Sequence, residues 1–325
     1  MTSDRSWLVC GETAAALRVI ASEFLGTTDP EQPLLREISH HLLEREGKLL
    51  RPALALLAGR FSSPGDEAKI RHAAIAVELL HVASLYHDDV MDDASQRRGA
   101  QTANSRWGNA LASLGGTYLF AQAGARFASL GAWANRIASA AMAQLCAGQL
   151  LELEHAFDLE LSESDYFEIL TKKTATLFEL PLRLGAFVGG AAEEQVENLA
   201  SFGRTLGLAY QIADDASDFA GDNARSGKAA GADLKRGVYT LPVIRACRSA
   251  ATAQELRGLL GRLEPSDGEI AAAAHLIVGS GAVEDALALA RDTARRAQTH
   301  LSELPPGTAR ESLFNLAEQT VALFV

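Results

Sequence analysis

Two aspartate clusters share one pattern: Asp88-Asp89-Val90-Met91-Asp92 and Asp214-Asp215-Ala216-Ser217-Asp218 both read D-D-x-x-D. On an α-helix, residues four apart lie about 40° from each other. Asp88 and Asp92 then share a face, as do Asp214 and Asp218. Carboxylates crowded in this way repel one another unless a cation sits among them. Hard oxygen ligands that leave room for water and phosphate suit Mg²⁺. The two clusters are expected to hold several such ions and one polyanion.

An acidic run taken alone is usually a solvated helix face. Here the flanks argue otherwise. The positions three, four and seven before the first cluster hold Leu85, Ser84 and His81. Before the second they hold Gln211, Tyr210 and Gly207, so no charged residue continues either face. The apolar stretches 73–86 and 206–213 read as buried helices, in which a charge without a partner is costly.

A polyanion also needs cations and donors. Lys48 and Arg51 stand three apart at the start of an apolar helix, where free N–H groups attract phosphate too. Arg97 and Arg98 follow the first cluster. Guanidinium forks match phosphate oxygens, and ion pairs to Asp92 and Asp93 are the alternative. Lys172-Lys173-Thr174 places a lysine beside a hydroxyl, a weak motif by itself. The stretch 221–237 carries Gly221, Gly227, Gly231 and Gly237 with Lys228 and Asp233; it is either an ordinary connection or a lid. His81 lies seven residues before Asp88, near the same face. It is either a core histidine or a donor to a second anion.

The elements that must position these residues read as helices. The chain has 325 residues, 48% of them hydrophobic. The 3.6-residue period runs through segments such as 284–304, and no alternating strand with a turn signal stands out, so the fold class is all-α. No linker divides the chain; 61–66 is a short turn, and a single domain over 1–325 is expected. Asp29 caps a helix that Pro30 opens, and Pro52 sits in the first turn of another. A helix over 166–180 is expected to be interrupted at Pro181. The net charge of −11 argues against nucleic acid. Three scattered cysteines, Cys10, Cys146 and Cys247, suggest a reducing compartment and no metal motif. With no apolar leader at the N-terminus, a cytoplasmic location is expected. The uncharged stretch 107–125 is rich in Gly, Ser, Asn and Gln, which favours a buried helix beside a cavity over a transmembrane segment.

In order along the chain stand Gly47-Lys48-x-x-Arg51-Pro52, Glu78-x-x-His81-x-x-Ser84-Leu85-x-His87-Asp88-Asp89-Val90-Met91-Asp92 and Arg97-Arg98-Gly99. Lys173-Thr174-Ala175, Gln211-Ile212-x-Asp214-Asp215-x-x-Asp218, Gly227-Lys228 and Gly231-x-Asp233-Leu234 follow. Together they resemble the trans-isoprenyl (polyprenyl) diphosphate synthases over most of the chain. The resemblance implies an isoprenoid-synthase helical bundle around a central cavity. It implies a Mg²⁺-dependent prenyltransferase that condenses isopentenyl diphosphate with an allylic diphosphate and releases pyrophosphate. Asp88, Asp92 and Asp214 would bind the Mg²⁺ ions, three per active site. Asp89, Asp215, Asp218 and Asp233 would support them, the last three counted with the metal set. Arg97, Lys173 and Lys228 would contact the allylic diphosphate, and Lys48, Arg51, His81 and Arg98 would hold isopentenyl diphosphate. Thr174 and Gln211 would steady the carbocation. A homodimer is the family's usual state. Leu49, Thr117 and Val238 depart from residues common in the family, and none is a metal ligand.

The first cluster's helix also offers a ruler. Ser84 and Ala83 stand four and five residues before Asp88, roughly 6–8 Å deeper along the axis, and their small size predicts a long product of about C30–C50. Farnesyl or geranylgeranyl diphosphate synthase is the short-chain alternative. A class I terpene cyclase would not need the second basic site of Lys48, Arg51 and His81. A non-catalytic partner subunit typically loses one aspartate cluster, and this chain keeps both.

Overall fold

The computed structural model describes residues 5–28, 30–45, 47–61, 66–219, 231–261 and 265–324. The helices up to the first cluster are α1 (Gly11–Glu23), α2 (Pro33–Leu43), α3 (Leu50–Ala58) and α4 (Glu67–Met91). Next come α5 (Ala103–Trp107), α6 (Asn109–Ser129), α7 (Ala132–Glu154), α8 (Glu163–Leu170), α9 (Thr176–Gly189) and α10 (Glu193–Ser217). The remainder are α11 (Ala232–Lys235), α12 (Leu241–Arg248), α13 (Ala253–Leu260), α14 (Asp267–Gly279), α15 (Ala282–Thr299) and α16 (Thr308–Gln319). The class is all-α, as expected. Starts follow ordinary capping chemistry. Asp66 accepts from the Lys69 N–H at 3.1 Å ahead of α4, Ser162 accepts from the Asp165 N–H at 3.0 Å ahead of α8, and Ser266 with Glu269 forms a capping box on α14.

Two compact units emerge. One comprises Met1–Met142, Leu177–Ser201 and His300–Asn315, and the other Ala143–Thr176, Phe202–Thr299 and Leu316–Val325. In the first, α4 is the spine. Ala73 to Leu80 is buried without a break, so this stretch meets neighbours all round. Every residue of α3 but Arg51 is buried. Tyr86 ties α2 to α4: it is fully buried, its Oη donates to the Ile38 carbonyl at 2.5 Å and accepts from the Leu42 N–H at 3.2 Å. In the second unit, Tyr166, Leu170, Ile212, Ala216, Leu241 and Leu256 belong to one apolar core.

Several expectations need correction. Helix α2 starts at Pro33 with Gln32 as its cap residue; Pro30 lies outside it, and Asp29 is outside the described residues. Of the predicted turn 61–66, positions 62–65 are also outside them. A two-residue antiparallel pair, Gln96–Arg97 with Ala100–Gln101, went unnoticed because it is too short to alternate. Its turn residues Arg98 and Gly99 have φ of 51° and 71°, the left-handed conformation of a tight hairpin. The helix expected over 166–180 begins at Glu163, widens to a π turn over Thr171–Ala175 and resumes as α9. Pro181 lies inside α9 without ending it. The ring removes one hydrogen bond, while buried Leu180, Leu182 and Leu184 keep the helix packed.

Helix α6 is buried on one face only, with Leu114 59% exposed. Its small residues serve close packing. A Cβ on Gly116 would lie 2.6 Å from His87 Nε2, and one on Gly115 would lie 2.5 Å from Ile38 Cγ2. Among the described residues no single helix is long and apolar enough to cross a membrane. Gly116→Ala is expected to cost about 1–3 kcal/mol by overpacking, read as a lower urea midpoint. An unchanged midpoint refutes the tight α4–α6 approach.

Candidate active site

Both aspartate clusters close a 25-residue helix, α4 in one case and α10 in the other. The C-terminal end of a helix carries partial negative charge, so carboxylates there are disfavoured unless cations balance them. In the first unit Asp88 is partly buried and Asp89 fully so. Asp89 Oδ1 accepts from Arg97 Nε at 2.5 Å, while Oδ2 is buried with no hydrogen-bond partner. Burial pushes the Asp89 carboxyl up, and Arg97 opposes the shift. The segment after α4 is pinned at Ala94, whose N–H donates to the Asp89 carbonyl and whose carbonyl accepts from Thr102 Oγ1 at 2.6 Å.

The basic residues of the same unit gather beside α4. A cavity of about 790 Å³ is lined by Arg5, Arg45, Lys48, Glu78, Val82 and Arg98, among others. Arg98 folds over Gly47, where a Cβ would meet its guanidinium at 2.9 Å, and donates to the carbonyls of Leu42 and Arg45, each at 3.3 Å. Arg51 lies over the Phe178 ring, 5.5 Å from its centroid. His81 Nδ1 is buried with no partner. Burial, then the charges of Arg51, Arg98 and Arg97, hold its imidazole well below the usual value, hence neutral at physiological pH. Arg51 and His81 do not line the cavity; Lys48 and Arg98 do. Ala83 is fully buried, and Ser84 Oγ donates back to the His81 carbonyl at 2.8 Å.

In the second unit Asp214 is exposed and Asp215 buried. Asp215 is held by two donors: Tyr166 Oη reaches Oδ2 at 2.6 Å and Gln211 Nε2 reaches Oδ1 at 2.7 Å. Burial pushes Asp215 up to about 8 despite those bonds. The Gln211 amide is thereby oriented, and its Oε1 accepts from Thr174 Oγ1 at 3.0 Å. Lys173 Nζ pairs with Glu152 Oε1 at 2.5 Å. Asp233 pairs with Arg236 at 2.5 Å. Lys228, with Gly221 and Gly227, falls outside the described residues.

Tyr166 and Glu152 were missed from the sequence. No local pattern marks a tyrosine that reaches an aspartate forty-nine positions away. Glu78 stood in the motif but without a role. The structure shows it 2% exposed, with Arg51 and Arg98 close enough to oppose its shift.

Two hard oxygen donors one turn apart suit a divalent ion that keeps water. Among the described residues no group of three or more His, Cys, Asp or Glu side chains is set to hold a metal ion. A hydrated divalent ion needs only one or two carboxylates. Asp88 and Asp92 on one helix, and Asp214 and Asp218 at the end of the other, supply such donors.

A family model described as Polyprenyl synthetase matches residues 32–277. The nonaprenyl diphosphate synthase of Mycobacterium tuberculosis is 38% identical over 283 residues, covering 87% of this chain and 84% of that protein. A short chain isoprenyl diphosphate synthase of Methanothermobacter thermautotrophicus is 36% identical over 306 residues, covering 91% and 92%. The crystal structure of a polyprenyl synthase from Caulobacter crescentus, complexed with calcium and isoprenyl diphosphate, matches with a TM-score of 0.92 at 34% identity over 100% of this chain and 99% of that one.

Burial raises the Glu78 carboxyl above its ordinary value, so the folded chain keeps that proton to higher pH than the unfolded chain. The stability tied to Glu78 is full at acid pH and is lost as pH rises through the folded value. From about pH 5 to about pH 8, the Tm of Glu78→Gln should rise relative to the parent. A constant offset refutes the assignment.

Proposed function

The chain belongs to the polyprenyl synthetase family and is a trans-prenyltransferase; from that premise we propose that it joins isopentenyl diphosphate to an allylic diphosphate, releases pyrophosphate and repeats the step to a long product. The observation that carries the reading is the retention of two D-D-x-x-D clusters, each closing a long helix. Asp88, Asp92 and Asp214 bind Mg²⁺, three ions per site, with Asp218 and Asp233 in support. When bound, Mg²⁺ stabilises the negative charge that grows on the departing diphosphate. Asp89 and Asp215 act from behind: each is buried and bonded to a residue that does the contacting, Arg97 in one case and Gln211 in the other.

Arg97 and Lys173 take the allylic diphosphate, with Lys228. Lys48, Arg51 and Arg98 take isopentenyl diphosphate, and His81, held neutral, donates one N–H. The Thr174 hydroxyl proton is directed at Gln211 Oε1, which leaves the Thr174 oxygen lone pairs for the allylic cation. That is fixed-dipole stabilisation at the atom where charge develops. The bond from the allylic carbon to oxygen breaks with its electron pair leaving on diphosphate. The alkene of isopentenyl diphosphate supplies the pair for the new carbon–carbon bond, and the proton then lost goes to the pyrophosphate.

The small side chains of Ala83 and Ser84, five and four residues before Asp88 on the same helix, support a product of about C30–C50. The long-chain M. tuberculosis relative favours this length, and the short-chain relative favours the alternative. We place the enzyme in the cytoplasm as a homodimer, the family's usual state.

Purified protein with Mg²⁺, labelled isopentenyl diphosphate and several allylic primers should yield chains longer than geranylgeranyl. Accumulation of farnesyl or geranylgeranyl diphosphate alone overturns the long-chain reading. Pyrophosphate release without consumption of isopentenyl diphosphate points instead to a cyclase. Ala83→Phe should shorten the product, whereas Asp88→Asn should cut kcat about 10²–10³-fold with length little changed.

A further inference from the structure

We infer that Gln149 of α7 contacts the allylic substrate directly, as a further catalytic residue that rests on the reaction proposed above. Gln149 is only 7% exposed, yet both its Nε2 and its Oε1 are buried with no hydrogen-bond partner. A buried amide that bonds to nothing at either end destabilises the fold, and leucine or methionine would fill a helix position of this kind without that penalty. Such local violations are expected where a residue is kept for a ligand. The contrast with Gln211 is direct. That amide donates to Asp215 and accepts from Thr174, so both ends are spoken for.

The neighbours of Gln149 say which ligand. Gly148 brings α7 against the π turn: a Cβ there would lie 2.7 Å from the Lys173 backbone N and 2.9 Å from Lys172 Cβ. Glu152, three residues after Gln149, holds Lys173 Nζ. At about 100° per residue, Gln149 and Glu152 stand roughly 60° apart on α7. The orphaned amide therefore lies beside the face of α7 that meets Lys173, the residue assigned to the allylic diphosphate and the chain neighbour of Thr174. Its two ends suit the two products of ionisation. The Nε2 hydrogens meet a diphosphate oxygen that gains the electron pair, and Oε1 faces the allyl group that loses it.

Gln149→Met removes both polar atoms at nearly constant volume. The substrate-free variant should keep or raise its Tm, while kcat/KM for farnesyl diphosphate falls about 10–100-fold and the KM for isopentenyl diphosphate stays within about twofold. Gln149→Glu, which sets a negative charge against the diphosphate, should lose more. A lowered Tm with unchanged kinetics overturns the inference, as does an equal loss toward both substrates, the mark of general damage. A parent protein that consumes no isopentenyl diphosphate sinks the proposed reaction instead. The substrate-free Tm comparison then still decides whether this amide is kept at a cost to the fold.

Discussion

Negative charge at the negative end of a helix is the constraint on which the rest of this structure depends. Both D-D-x-x-D clusters close long helices, where backbone carbonyls already project partial negative charge. The fold answers in the same way twice. In each cluster the second aspartate is buried and bonded, Asp89 to Arg97 and Asp215 to Tyr166 and Gln211. The first, Asp88 or Asp214, is left more exposed, where a hydrated ion can approach. One carboxylate of each adjacent pair is thus part of the framework and the other part of the chemistry. Breaking the framework half would move the helix end as well as remove a charge.

Much of this was legible in the sequence because helical periodicity and i, i+4 spacing are local. The aspartates, Lys48, Arg51, His81 and the lysine–threonine pair all announce themselves within a few residues. What stayed hidden depends on distance in the chain. Tyr166 finds Asp215 through folding, not through spacing. Gly115 and Gly116 of α6 looked like part of a cavity wall, but they let α2 and α4 come close, with Ile38, Tyr86 and His87 occupying the space. Pro181 looked like a helix end because proline loses a hydrogen bond, and the buried leucines around it outweigh that loss. The hairpin after α4 was missed because two residues per strand cannot show alternation.

Among the described residues, three of the four non-glycine residues with positive φ are Leu49, Asp93 and Arg98. Each flanks or belongs to the segments that carry Lys48, Asp92 and Arg97. Such conformations cost about 1–3 kcal/mol each and persist only where the surroundings over-determine them. For Arg98 the surroundings are visible: two carbonyl acceptors and the bare backbone of Gly47. The cationic pocket is therefore assembled by bends that helical packing has to hold in place.

The π turn at Thr171–Ala175 carries a consequence for how such a chain can vary over generations. A π turn holds one residue more than the α turn it replaces. Deleting one of those five positions would restore an ordinary helix, and the four residues left would turn about 400°, close to what the wider π turn already spans, so the flanking helices would keep their facing while Lys173 and Thr174 lost the wide turn that presents them. Substitution alters what Lys173 and Thr174 are made of; only a change of length alters where they point. The count of residues between Tyr166 and Thr174 is thus a stricter inheritance than the identity of any residue within it.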